Sequence, residues 1–91
     1  MKELPEKVQA YNKSQTYTDR STPGMMRKDH STRAGVWGKI VVQKGEVIYN
    51  MENDDESHTL SPEKAGVIEP TIKHRIDPQV GARFYIEFYR N

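Results

Sequence analysis

Two histidines, His30 and His74, are the residues whose type and setting best suit binding chemistry in this sequence. Neutral imidazole is a good ligand for Zn, Fe, Ni and Cu, and carboxylate oxygens suit Mn. Glu69 precedes His74 by a few residues, and Glu87 lies in the last strand-like run. Two imidazoles and one carboxylate form an open metal site, so the sequence predicts a divalent metal (Zn, Fe, Ni or Mn) held by His30, His74 and Glu69 or Glu87.

Each of these assignments has a structural alternative. His74 alternates with isoleucines, and a histidine on such a face is often a core residue whose ring nitrogens bond to backbone or to a carboxylate. Glu87 alternates with Phe84 and Phe88, so it faces the site only if those phenylalanines pack against a neighbouring subunit; otherwise it lies on the surface.

Two further side chains are candidates for ligand binding. Arg33 has a guanidinium that can grip an anionic ligand with two parallel hydrogen bonds, and its alternative is a surface ion pair with Asp29. Trp37 either forms a wall of the pocket or is a large core anchor. The third histidine, His58, follows an acidic loop and is expected to be a solvent-exposed strand residue.

The elements that must position these residues are strands. Gly38–Gln43 and Glu46–Met51 are rich in Val, Ile and Tyr, and the Lys44-Gly45 step between them predicts a β-hairpin. Thr71–Asp77 alternates, with His74 on its apolar side, and Arg83–Tyr89 is the clearest strand. Those alternations place His74 on an inner face.

The remaining chain also lacks helical periodicity. Residues 1–9 are charged and predict a loosely held arm, Ala10–Thr18 a weak edge strand, and Met25–Asp29 a short strand with Met25 or Met26 turned inward. Short strands separated by Gly/Pro turns, with another at Ser57–Leu60, predict an all-β sandwich or barrel.

Composition limits the class of protein. A length of 91 residues predicts one domain, 1–91, with a modest core that a homodimer partner would help to cover. The net charge of +1 comes from interspersed charges, which does not indicate a nucleic-acid or membrane partner. The absence of cysteine and of an apolar leader fits a cytoplasmic location.

Three stretches together resemble a known family. They are DHSTRAGVWGKIVVQKGEV, GVIEPTIKHRID and FYIEFY. In this combination they resemble the TehB/YeaR-like family, cupin-like domains related to the N-terminal part of the tellurite-resistance protein TehB. The resemblance covers Tyr11 to Tyr89, and each stretch alone is a weak signal.

The resemblance implies a cupin-like double-stranded β-helix, a small antiparallel barrel or jelly roll with its ligand site in one mouth. His30 matches a histidine of the first cupin motif and His74 that of the second. The sequence departs from the pattern at Thr32, where cupins usually have a second histidine, and has no glutamate between His30 and Gly45. The methyltransferase part of longer members has no counterpart here, so no nucleotide cofactor is expected.

Three functions stay open on these residues. One is a binding module for a divalent metal or a small polar or anionic ligand, such as an oxyanion, in a metalloid-stress context. Another is a metal-dependent oxygenase or isomerase acting on a small polar substrate. The last is a structural domain whose aromatic strand RFYIEFY pairs across a two-fold interface.

Overall fold

The computed structural model describes residues Met1–Asn91, which form eight strands and one 3-10 helix, Gly24–Arg27. The strands are β1 (Gln9–Lys13), β2 (Tyr17–Thr18), β3 (Trp37–Lys44), β4 (Val47–Met51), β5 (His58–Leu60), β6 (Gly66–Ile68), β7 (His74–Pro78) and β8 (Arg83–Arg90). The all-β prediction is confirmed. The predicted edge strand at Ala10–Thr18 is instead divided between β1 and β2, since Ser14 between them bonds to Ile86 of β8 through its side chain as well as its amide, which interrupts the regular ladder.

The strands form two antiparallel sheets. A five-stranded sheet has the order β1-β8-β3-β6, with β2 also paired to β8, and a three-stranded sheet has the order β5-β4-β7. From β3 onward the chain passes to β4 and β5 in the small sheet, then alternates between the sheets through β6, β7 and β8. The two sheets remain separate, so the structure has no closed barrel.

One hydrophobic core lies between the sheets. Alternation in β4 (buried Val47, Tyr49 and Met51) and in β8 (buried Phe84 and Ile86) turns one face of each sheet inward. Burial of these apolar side chains removes them from water and is the main force that holds the sheets together.

The predicted β3–β4 hairpin is wrong. β3 pairs with β8 and β6, whereas β4 pairs with β5 and β7, so Gly45 lies where the chain leaves one sheet for the other. Gly45 has φ +73°, and a Cβ there would lie 3.0 Å from the Ala82 Cα. A glycine is required here by close backbone approach as well as by positive φ, and both fit a corner between sheets.

The predicted strand at Met25–Asp29 is also wrong, because the chain forms the 3-10 helix Gly24–Arg27 there. Pro23 has φ −57° immediately before the helix, and the amide of Met26 donates to the Pro23 carbonyl. The proline and glycine therefore begin a tight turn that continues into helix.

Candidate functional site

A cavity of about 230 Å³ lies at one end of the core. Its walls come from both sheets and from the segment that contains the 3-10 helix. Most of the lining is apolar, and the polar members are imidazoles and hydroxyls. The lining residues are Ser14, Tyr17, Pro23, Met25, Met26, His30, Thr32, Ile68, His74, Ile86 and Phe88.

His30 and His74 are brought together by backbone pairing. The His30 amide donates to the His74 carbonyl at 3.0 Å, and the His74 amide donates to the His30 carbonyl at 2.7 Å. Directly paired residues of an antiparallel bridge place their side chains on the same face. The two rings accordingly meet edge to face, with centroids 5.6 Å apart and an interplanar angle of 82°. Thus the predicted pair of histidines shares one cavity.

The His74 ring is buried but only half satisfied. His74 is 2% exposed, and its Nδ1 donates to the Ile72 carbonyl at 3.2 Å. Nε2 has no hydrogen bond. Every fully buried side-chain nitrogen or oxygen of the chain has a hydrogen-bond partner, so Nε2 is not fully buried. Nε2 is therefore open to the cavity, and because Nδ1 carries the proton, it presents a lone pair there.

Burial also sets the charge of this ring. Desolvation lowers the pKa of His74, and the nearby His30 lowers it further, while the Ile72 carbonyl opposes this change. His74 is thus neutral at neutral pH, which is the protonation state of an imidazole that binds a metal ion or accepts a hydrogen bond.

The helix that borders the cavity is fastened to the small sheet. The Arg27 guanidinium bonds to the Asp77 carboxylate of β7 at 2.5 Å and to the Asp19 carbonyl at 2.7 Å. Farther along the same segment, the Thr71 amide donates to the Thr32 carbonyl at 2.9 Å. These bonds place residues 24–32 beside β7 and so close one side of the cavity.

Neither candidate carboxylate joins the histidines. Glu69 is 7% exposed and lies 3.7 Å from the Lys2 ammonium, in a separate depression beside Met51. The chain has no group of three His, Cys, Asp or Glu side chains arranged to hold a metal ion. The predicted ligand set of two histidines and one glutamate is therefore not assembled.

Glu87 lies on the outer face of β8. Phe84 and Ile86 point into the core and Phe88 lines the cavity, so alternation turns Glu87 away from the histidines. Its carboxylate accepts from the Tyr89 hydroxyl at 2.5 Å, which raises the pKa of Tyr89 to about 12. The surface alternative for Glu87 corresponds to this placement.

Arg33 and Trp37 are not brought to the cavity. Arg33 is exposed in a turn closed by the bond from the Val36 amide to the Arg33 carbonyl, and Asp29 lies near Arg75 instead, at 3.7 Å. Trp37 opens β3 and is half-buried, and the alternation of that strand turns it to the outer face, away from the core. Both residues are close to His30 in sequence but do not line the cavity with it.

His58 is half-buried rather than exposed. Its Nε2 lies 2.7 Å from an Asp54 carboxylate oxygen, and this contact lowers the pKa of Asp54. The pair closes the acidic loop between β4 and β5 and is separate from the cavity.

Sequence reasoning missed most of the cavity wall. Met25 or Met26 was expected to turn inward from a strand, but both line the cavity from the 3-10 helix. Tyr17 and Ser14 come from the segment around β2, where the Ser14 hydroxyl accepts from the Ile86 amide at 2.9 Å. Only the Pro23-Gly24 breaker was a signal for the change of direction.

The sequence matches a known protein family. A family model described as the TehB-like domain matches residues 12–86. The chain belongs to the TehB-like domain family. This confirms the resemblance inferred from the sequence.

Its relatives include longer proteins. Two from Haemophilus influenzae, strains 10810 and ATCC 51907, are each named probable S-adenosyl-L-methionine-dependent methyltransferase TehB. Both are 33% identical over 72 residues, covering 74% of this chain and 25% of the relative. The TehB-like chain therefore spans about a quarter of the length of these curated relatives.

Two solved structures resemble the fold. The crystal structure of TehB from Haemophilus influenzae gives a TM-score of 0.84 at 27% identity and covers 94% of this chain and 32% of that one. A crystal structure of a protein from E. coli K12 gives 0.86 at 19% identity and covers 98% and 96%. The second shows the fold alone. The TehB-like chain has no helix with the length and the apolar character needed to cross a membrane.

Proposed function

We propose that this chain is a binding module, and that its site is the cavity lined by His30 and His74. The occupant is a metal ion or a small polar ligand. The observation that supports this most directly is the open Nε2 of His74, a lone pair on a neutral, buried ring inside a mostly apolar cavity. A cavity with few polar groups aimed into it is the usual form of a small-ligand site.

A polar ligand would use the imidazoles for orientation and the apolar wall for affinity. Neutral His74 accepts a hydrogen bond at Nε2, and Tyr17 at the cavity has a hydroxyl to donate. The Thr32 hydroxyl, in contrast, already donates to the Val36 carbonyl at 2.8 Å and can only accept. An oxyanion such as tellurite, the ligand class implied by the family, has the Tyr17 hydroxyl donor in its favour. Binding of an oxyanion is disfavoured by the neutral charge of His74 and by the position of Arg33 outside the cavity.

The cupin-like double-stranded β-helix is part of this proposal. Its support is a chain that repeatedly passes between two facing sheets, with the candidate site at one end of the core. A metal-dependent oxygenase or isomerase, the enzymatic alternative, gains no support from the placement of Glu69 and Glu87. A cytoplasmic location and a homodimer stay predictions.

For the longer relatives we propose a division of labour. Their name describes a probable methyltransferase, and this chain matches about a quarter of their length. Methyl transfer would then belong to the rest of those chains, and the part shared with this chain would bind the ligand.

The test is nuclear magnetic resonance of the protein purified without an affinity tag. Zn(II), Ni(II), tellurite and a small-fragment library are titrated while the histidine ring signals are followed. We expect at least one of them to shift the rings of His30 and His74, and His74→Ala to abolish the effect. His58→Ala, outside the cavity, is the control and leaves binding unchanged. No shift at His30 and His74 with any probe would contradict the proposal.

A further inference from the structure

The cavity holds a set of donor atoms that the sequence prediction did not consider. Met25 and Met26 line it together with His30 and His74. The chain has four methionines, three histidines and no cysteine, so half of its thioethers and two of its three imidazoles line this one cavity.

Packing explains only one of the two methionines. Met26 is partly buried and packs against the hydrophobic core. Met25 is 65% exposed, and no residue of the 3-10 helix is buried. An exposed methionine gains little from the hydrophobic effect, whereas its sulfur at a cavity wall is a soft donor.

The helix places both methionines at the cavity. Arg27 ends the helix and bonds to Asp77, which is on the same strand as His74. The imidazole pair and the thioether pair are thus attached to one strand, the first through the His30–His74 bridge and the second through Arg27. A fixed relation between donors is what a metal site requires.

The chemical type of these donors selects the ion. Imidazole nitrogen and thioether sulfur bring no negative charge to a metal ion, and no carboxylate lines the cavity. A divalent ion without anionic ligands pays a large desolvation cost in an apolar cavity, and a monovalent ion pays much less. Thioethers are poor ligands for Mn(II) and similar hard ions but select Cu(I).

We propose that the His30–His74 cavity is a site for a soft monovalent metal ion, Cu(I), bound by imidazole nitrogen and thioether sulfur. This rests on the proposed binding function and specifies its ligand class. His30 and His74 supply nitrogen, and Met25 and Met26 supply sulfur.

The experiment is an anaerobic titration of the whole chain with Cu(I) in competition with a chromophoric chelator, followed by X-ray absorption of the loaded protein. Ag(I), which is not oxidised, serves as a second probe. We expect one ion per chain and both nitrogen and sulfur scatterers at copper. The double variant Met25→Leu/Met26→Leu should weaken Cu(I) by about tenfold or more, a loss in the range known for metal-site changes.

Matched variants separate the possible failures. Met51→Leu, which alters a buried core methionine outside the cavity, should leave Cu(I) affinity unchanged. His30→Ala, at an exposed position that need not destabilise the fold, should weaken it. If ring signals of His30 and His74 respond to another probe but Cu(I) binds without sulfur scatterers or regardless of Met25 and Met26, the Cu(I) inference is overturned and the binding function stands. If no probe reaches those rings, both are overturned.

Discussion

At the scale of single residues, the surroundings of His74 determine its charge and how it makes the free energy of unfolding depend on pH. The folded chain keeps the ring out of water with one nitrogen bonded to Ile72, so its pKa is lowered relative to the unfolded chain. Between the folded and unfolded pKa values the unfolded chain binds more protons. The free energy of unfolding therefore falls as pH drops below the unfolded value, about 6.5.

This predicts a pH-dependent stability that His74→Gln removes. For wild type we expect urea unfolding to give a lower free energy at pH 5 than at pH 7.5, by about 1.4 kcal/mol for each unit of pKa difference. His74→Gln cannot titrate and should lose most of this dependence. The contribution of Asp54 is separate, because its pKa is lowered from 3.8 and its effect falls at more acidic pH. An unchanged slope in His74→Gln would contradict the prediction.

Residue types alone could predict the histidine pair but not its companions. His74 alternates with Ile76 on an inner face, which the sequence pattern showed. The partner of His74 is determined by a bridge to a segment far away in sequence. Glu87 illustrates the limit: both faces of β8 contain aromatic residues, so its direction depended on which face met the second sheet.

At the scale of elements, the strand positions were largely predictable and the pairings were not. β5 lies within the range that alternation and turn residues predicted, and β7 and β8 agree with it to within a few residues. The pairing of β3 with β8 instead of β4 could not be predicted, because it joins residues far apart in sequence, such as Lys44 and Arg83. Local pattern does not encode that contact.

The corner gives a prediction about glycine. Gly45→Ala should destabilise the fold by about 2–3 kcal/mol, since a left-handed alanine costs roughly 1–2 kcal/mol and its Cβ also meets Ala82. Gly81→Ala is the matched control: φ is +84° but no atom lies within 4 Å, so only the conformational cost of about 1–2 kcal/mol applies. Equal losses in urea unfolding would show that the close approach at Gly45 is unimportant.

At the scale of the whole molecule, the two sheets are joined by apolar packing and by a partly buried hydrogen bond. The Tyr49 hydroxyl of β4, in the small sheet, donates to the Val67 carbonyl of β6, in the large sheet, at 2.9 Å. Burial raises the pKa of Tyr49, and Glu69 raises it further, so the hydroxyl stays protonated and remains a donor.

Removal of that hydroxyl should weaken the association of the sheets. We expect Tyr49→Phe to lower the free energy of unfolding by about 1 kcal/mol, the net value of one hydrogen bond, with more if the Val67 carbonyl stays dry. Tyr85→Phe, on the outer face of β8, should change it by no more than about 0.5 kcal/mol. Equal stability of the two variants in urea would argue against a role for this contact.

The backbone bridge between His30 and His74 has a consequence for access. It consists of two hydrogen bonds, and the only neighbouring backbone bond that continues it is the one from Thr71 to Thr32. Although Arg27 and Asp77 hold the preceding helix, few backbone bonds support this bridge, so we expect it to open at lower free energy than the sheets unfold. Its fraying would swing one imidazole outward while the other stays anchored on its strand. A ligand would then enter the cavity by opening of this backbone bridge, and re-forming of the bridge would enclose the ligand.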